Sequence, residues 1–396
     1  MFSGDYMKIC IIGGGISGVI AAIKASLNHD VTIIERNNTL LKKLLLTGNG
    51  RCNYFNSNMD ISNFNSNSDL KELITKKNID KVVDFYDSIG IIPKIKNGYY
   101  YPTSNTALSI KETLLKELYN NKVKIITDTL IDSITRVEDK FLINNKLYDK
   151  VIISTGSKAY PKTGSDGIGY KLLEDLNLNI INPLPSLTPL IGSEKYFNDW
   201  NGIRVDSKIS LYENNEFIKE EVGEVQLTNY GISGICVFNL SGLVSRGINK
   251  GKKETIHINF LPFVDNIESF LIERNNKLKN RTIIELLEGI LNYKLVKVIL
   301  KQSNIKEDIY FDSIKNKQDL YNNLVDFKLN ICDTKGYDYS QVCSGGLDLK
   351  EINLNTMETK IKNLYVVGEI LDIDGLCGGY NITIATLSGI LAGENI

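Results

Sequence analysis

Gly13, Gly15 and Gly18 stand between an apolar run, KICII, and a stretch of helix formers, ISGVIAAIKA. Glycines at this G-x-G-x-x-G spacing, at a strand-to-helix junction, suit the binding of a diphosphate. The helix N-terminus offers free N–H groups and the positive end of its dipole to the phosphate charge. Gly13 permits the tight turn, Gly15 lets the diphosphate approach the backbone, and Gly18 lets the helix pack on the strand. Glu35 ends the next apolar run, VTIIE, 17 residues after Gly18. A carboxylate there accepts hydrogen bonds from ribose hydroxyls. Together these residues predict a dinucleotide-binding unit.

The far end of the chain narrows the ligand. Residues 364–382 read LYVVGEILDIDGLCGGYNI, a buried strand that ends at Gly368-Glu369 and a glycine turn that opens a last helix. A nicotinamide enzyme has no need of a second cofactor-binding strand and helix N-terminus here. FAD has: Glu369 can hold the ribityl chain, and a helix starting near Gly379 to Ile382 can stabilise a reduced, anionic flavin. There is no second G-x-G-x-x-G; TGSDGIG at 163–169 has glycines without the spacing. Any NAD(P)H donor is therefore expected to visit transiently.

The elements that position these residues follow from pattern. The first 35 residues form a strand–helix–strand unit, and helices are predicted over 69–89 and 105–120. VKIIT, DSITRVE, KFLIN and DKVIISTGS read as strands. Three prolines in NPLPSLTPL (182–190) mark a change of module. From about 203 to 262 the alternation KISLYEN, EFIKEEV, EVQLTN, ICVFNLS, TIHINFLP predicts short strands of a small barrel or sandwich, and 266–327 reads as helical. The expected organisation is an α/β domain built from 1–190 and 336–396. The insert, 191–335, is expected to be a β-barrel to about 264 and helical from 265.

The chain has 46 Lys and Arg against 47 Asp and Glu, a net charge of -1, so nothing global favours nucleic acid or an anionic membrane. Six cysteines without a C-x-x-C pair fit reduced thiols better than disulfides or a zinc site. No metal site is expected. The glycine-rich first helix is too short for a membrane span, so the expectation is a soluble cytoplasmic protein, with MFSGDY as a loose leader.

GGGISG, LLKKLLLTGNGRCN, TGSDGIGYKLLEDL, PSLTPL, LTNYGISGICVFNLS, CSGGLDLKEI and GEILDIDGLCGGYNITIATLSG occur in that order from Met7 to the C-terminus. In these motifs the chain resembles the aminoacetone-oxidase-like (BaiN/YhiN-type) FAD-binding oxidoreductases. The resemblance implies a Rossmann-like, two-dinucleotide-binding-type FAD domain with a barrel-plus-helical insert. Departures are mild: Lys42 stands where the family more often has Arg, and Cys377 falls at a variable position. Family members have been linked to amine oxidation, to reduction of steroid double bonds and to reduction of uridine in ribosomal RNA. The leading expectation is hydride transfer between non-covalent FAD and a small organic molecule, with reduction of a C=C bond foremost. Amine oxidation by oxygen and RNA modification are the alternatives.

In a domain of this type the loop LTGNGRCN crosses the pyrophosphate and reaches the flavin. Gly48 and Gly50 let the backbone press on the cofactor, Lys43 and Arg51 offset its charge, and Asn49 and Asn53 bond ring edges or turn the backbone. Cys52 is read as a proton donor, as a thiolate whose pKa Arg51 lowers, or as a small packing residue. Asp374 and Tyr380 are the other catalytic candidates. For Asp372 and Asp374 capping of the last helix is the competing role, and for Tyr380 packing in the turn. The expected cofactor contacts are Gly13, Gly15, Ser17, Gly18, Glu35, Arg36, Lys43, Gly50, Arg51, Cys52, Asn53, Ile131, Thr155, Gly156, Gly368, Glu369, Asp374, Gly379, Tyr380, Asn381 and Ile382. In the insert, Thr228, Asn229 and Tyr230 are candidates for facing the flavin.

Overall fold

The computed structural model describes residues 6–396; the expected leader falls almost wholly outside these residues. The chain divides into two compact units, Met1–Leu184 with Gln341–Ile396, and Pro185–Ser340.

The first unit is built on a five-stranded sheet. Its order is Leu364–Val366, Lys150–Ile153, Lys8–Ile12, Asp30–Ile34, Lys124–Ile126, and every adjacent pair is parallel. KICII and DVTII are buried from their second residue onward. Their continuous apolar character follows from a parallel sheet covered on both faces. Three of these strands come from the first 130 residues and one from the last 35, so both ends of the sequence complete one sheet. The first helix, Ile16–Ala25, starts directly after the glycine turn, with Gly15 as a cap that makes no side-chain bond. The last helix, Tyr380–Asn395, lies against it. That approach depends on glycine: a Cβ on Gly389 would stand 2.5 Å from the Ser17 carbonyl oxygen.

The second unit holds a closed six-stranded antiparallel barrel, in the order Leu190–Gly192, Gly231–Ser233, Glu216–Leu227, Arg204–Glu213, Glu254–Asn259, Phe327–Thr334. Helices Ile267–Lys277, Ile283–Glu288, Tyr293–Gln302 and Gln318–Val325 follow the fifth strand in sequence and precede the sixth.

Three expectations need correction. ICVFNLS is not a strand but the first half of the helix Ile235–Asn249. A short apolar run has no period that separates a buried strand from a buried helix. The last barrel strand, Phe327–Thr334, lies in the stretch assigned to helix; its inward face, Phe327, Leu329 and Ile331, alternates with exposed residues as an antiparallel strand requires. The helix expected over 69–89 begins only at Lys76, where the Thr75 side chain accepts the Asn78 N–H at 3.2 Å and fixes the start.

Candidate cofactor and active site

The carboxyl ends of the central strands open into a cleft of about 1000 Å³ of empty space within the first unit. One wall is the glycine turn. Gly13 has φ +105°, and a Cβ there would meet the Ser154 carbonyl oxygen at 2.5 Å. Gly18 lies behind the cleft wall: its Cβ would stand 2.3 Å from both the Gly13 oxygen and Ser154 Oγ. Its role is close helix–strand packing, as the spacing predicts, with no contact to the cleft. A side chain at Gly15, by contrast, would meet only the Ser154 oxygen, at 3.9 Å, so the approach to the helix N-terminus is open.

Glu35 is buried beside this turn. Its Oε2 accepts the Gly14 N–H at 2.6 Å, and its Oε1 accepts the Asn37 N–H at 2.8 Å and the Asn37 side-chain amide at 2.7 Å. The carboxylate therefore shapes the turn as well as facing the cleft. Arg36 pairs with Asp166 at 2.6 Å and donates to the Gly164 oxygen at 3.3 Å. Lys43 Nζ is 2.6 Å from Glu369 Oε2, which also accepts from Ser157 Oγ at 3.3 Å. The cation expected to offset cofactor charge and the carboxylate expected to hold the ribityl chain thus compensate each other.

Of the expected cofactor contacts, Gly13, Gly15, Ser17, Glu35, Arg36, Lys43, Ile131, Thr155, Gly156, Glu369 and Ile382 line the cleft. Gly50, Arg51, Cys52, Asn53, Gly368, Asp374, Gly379, Tyr380 and Asn381 do not. Sequence reasoning passed over Asn37, Thr47, Thr129 and Thr163–Ser165, which also line it. Thr163–Ser165 belong to the TGSDGIG stretch, whose glycines were the available signal.

The loop LTGNGRCN folds on itself: the Thr47 oxygen accepts the N–H groups of Gly50 and Cys52, both at 3.0 Å. Cys52 is fully buried with φ +56°. Burial pushes its thiol up to about 12, and a hydrogen bond with Thr47 offsets only part of that. Arg51 is exposed, its guanidinium 5.3 Å from the centre of the Tyr101 ring. Burial thus acts on the Cys52 thiol in the direction opposite to activation, and Arg51 is not among the groups that shift it. Arg51, turned to Tyr101, is not among the residues that line the cleft. Asn53 Oδ1 is buried without a hydrogen-bond partner.

Asp374 and Asp372 do not cap the last helix, whose cap is Gly379 with no side-chain bond. Asp374 sits in a two-residue strand pairing with Asn65, and its Oδ2 accepts the Asn65 amide at 3.2 Å. Asp372 Oδ2 accepts the Asn67 N–H at 2.9 Å. Asn381 clasps the turn by accepting the Gly375 N–H and donating to the Gly375 oxygen, both at 2.8 Å. Tyr380 is buried edge-on to Phe64, with ring centres 5.5 Å apart, and burial and then Tyr99 raise its hydroxyl pKa. Thr228–Tyr230 lie in the second unit, where Lys335 Nζ sits 3.6 Å from the centre of the Tyr230 ring. Among the described residues no group of three or more His, Cys, Asp or Glu is placed to hold a metal ion. Among the same residues no helix is long and apolar enough to cross a membrane.

The cleft fits an adenine dinucleotide on its own evidence. The open glycine cradle faces a helix N-terminus, and the Glu35 carboxylate stands beside it on the cleft wall. A parallel Rossmann-type sheet carrying such a cleft, completed by the C-terminal strand and interrupted by an antiparallel barrel, is the architecture of an FAD-dependent oxidoreductase. The chain belongs to the HI0933-like protein Rossmann domain family, whose model matches residues 7–395. It is 34% identical to a 3-dehydro-bile acid delta(4,6)-reductase of Clostridium scindens across 98% of both chains. Identity to a ribosomal RNA dihydrouridine synthase of Escherichia coli is 27%, across 94% of this chain and 93% of that one. Among solved structures, a 3-ketosteroid-delta4-(5alpha)-dehydrogenase from Rhodococcus jostii RHA1 shares the fold. The TM-score is 0.50 at 13% identity, over 100% of this chain and 98% of that one.

Proposed function

We propose that this protein reduces a polarised C=C bond in a small organic substrate, an α,β-unsaturated ketone of fused-ring type being the foremost candidate. The observation that carries the proposal is the 34% identity over 98% of both chains to a reductase of 3-dehydro bile acids. When bound, FAD supplies a two-electron carrier able to give hydride to carbon. The chain's own residues bind and orient it. The Gly13–Ser17 turn would hold the pyrophosphate, Glu35 the ribose, and Glu369, held by Lys43 and Ser157, the ribityl hydroxyls.

Reduction of C=C also requires a proton at the second carbon. Burial raises the pKa of both the Cys52 thiol and the Tyr380 phenol, which disfavours either as a base. Cys52, Tyr380 and Asp374 are the residues proposed for this step. NAD(P)H is the proposed electron source, bound transiently.

The test is anaerobic. The photoreduced holoprotein is mixed with a 3-oxo-Δ4 steroid or with air-saturated buffer, and the oxidised holoprotein is mixed separately with a primary amine to see whether the flavin is bleached. The proposal expects rapid reoxidation by the enone, with a saturated ketone formed, and slower reoxidation by oxygen. Fast reoxidation by oxygen with no enone turnover would replace it by an oxidase. The 27% identity to a ribosomal RNA dihydrouridine synthase supports a second reading, in which the reduced C=C bond is that of uridine. Loss of uridine from added ribosomal RNA, without enone turnover, would select it.

A further inference from the structure

We propose that Glu254, protonated beside the Glu213 carboxyl, forms a pH-released latch that ties the barrel of the second unit to the end of the helix Ile235–Asn249. Glu254 opens the fifth barrel strand and is 1% exposed, and both of its carboxyl oxygens are buried without a hydrogen-bond partner. A charged carboxylate in that position leaves its desolvation unrecovered, whereas a protonated carboxyl beside an acceptor does not. The acceptor is at hand. Glu213 is the cross-strand partner of Glu254 in the antiparallel pair Arg204–Glu213 with Glu254–Asn259, so their side chains leave the sheet on one face. Both converge on Gly247, near the end of the helix. A Cβ on that glycine would fall 1.7 Å from Glu254 Oε1 and 3.0 Å from Glu213 Oε1, so both oxygens face a spot where only glycine leaves room.

The surroundings favour one proton rather than two charges. Lys252, in the turn between helix and strand, is bonded to Glu213 Oε2, which supplies one positive charge to two carboxyl groups. On the other neighbouring strand, Phe327–Thr334, the residue opposite Glu254 is the apolar Ile331. The helix end carries Arg246 beside Gly247, and the turn carries Lys250 and Lys253. The negative end of the helix dipole further disfavours an anion at this spot. Burial first, and then the Glu213 charge, raise the Glu254 carboxyl from 4.5 to about 7, with Lys252 offsetting part. An acid whose folded pKa is raised contributes stability below its unfolded pKa. That contribution is lost as pH rises from 4.5 toward 7, and it changes no further above.

Trp200 is the only tryptophan of the chain and is fully buried in the same unit, so its fluorescence reports unfolding there. Urea unfolding of the full chain is followed in this way for the wild type and for Glu254→Gln, which resembles the protonated acid. The ratio of their unfolding constants is expected to grow about tenfold per pH unit between pH 5 and 7. It should reach at most roughly 300-fold and then level off. An equal ratio at pH 5 and pH 8 would overturn the proposal. Should Glu254→Gln fail to fold, Glu213→Gln removes the like charge and frees Lys252. The window of pH-dependent stability should then move to lower pH, and an unmoved window would overturn the latch.

Discussion

Glu35→Gln is the perturbation whose consequence the cleft specifies most fully. Glu35 accepts three hydrogen bonds, one from Gly14 and two from Asn37. A glutamine of the same shape can accept on one side only; its amide nitrogen must face a donor on the other. The less harmful orientation turns the nitrogen toward Gly14, which leaves that buried N–H without its acceptor. An unsatisfied buried donor costs about 1–3 kcal/mol. The glycine turn can relax into water when the cleft is empty but must re-form around the diphosphate, so most of this appears in binding. About 2 kcal/mol corresponds to roughly 30-fold weaker FAD affinity. The assay is titration of flavin-stripped protein with FAD, read by quenching of flavin fluorescence, with thermal unfolding of the stripped protein alongside. Affinity within threefold of wild type, with an unchanged unfolding midpoint, would refute the assignment of Glu35 to both turn and cofactor.

Gly18→Ala should lose FAD during gel filtration and unfold earlier by about 1–3 kcal/mol, since its Cβ would lie 2.3 Å from the Gly13 oxygen; calorimetry and the bound-flavin spectrum check this. Lys43→Met should weaken FAD retention roughly fivefold by leaving Glu369 without its ammonium partner, the partly buried pair being worth about 1 kcal/mol. Dialysis against graded salt should show the wild-type affinity falling and that of the variant flat. Cys52 in the folded holoprotein should resist iodoacetamide at pH 8 while the exposed Cys332 reacts, as mass spectrometry of tryptic peptides can show. Cys52→Ala should keep FAD and, if the thiol delivers the proton, lower substrate turnover by roughly 10² to 10⁴.

What the sequence made legible is what local pattern controls. The turn Gly13–Gly18 with Glu35 is specified by spacing alone because backbone clearance at a strand–helix junction admits few residue types. The last strand and helix were readable for the same reason. Less legible were contacts made across the fold. Nothing local pairs Lys43 with Glu369, or turns Arg51 away toward Tyr101, because these depend on partners 326 and 50 residues distant. For Cys52 the sequence left donor, thiolate and packing roles open, because its burial depends on how the loop folds. The barrel was foreseen from alternation. Its closing strand was not, because four helices separate it in sequence from the strand it pairs with.

The central claim is that the cleft of the first unit holds FAD non-covalently, and the direct measurement is a crystal structure of the purified yellow protein. The account predicts the FAD pyrophosphate against Gly13–Ser17, a ribose on Glu35, and no bond from flavin to any side chain. Flavin density elsewhere, or a covalent link to cysteine or histidine, would contradict it.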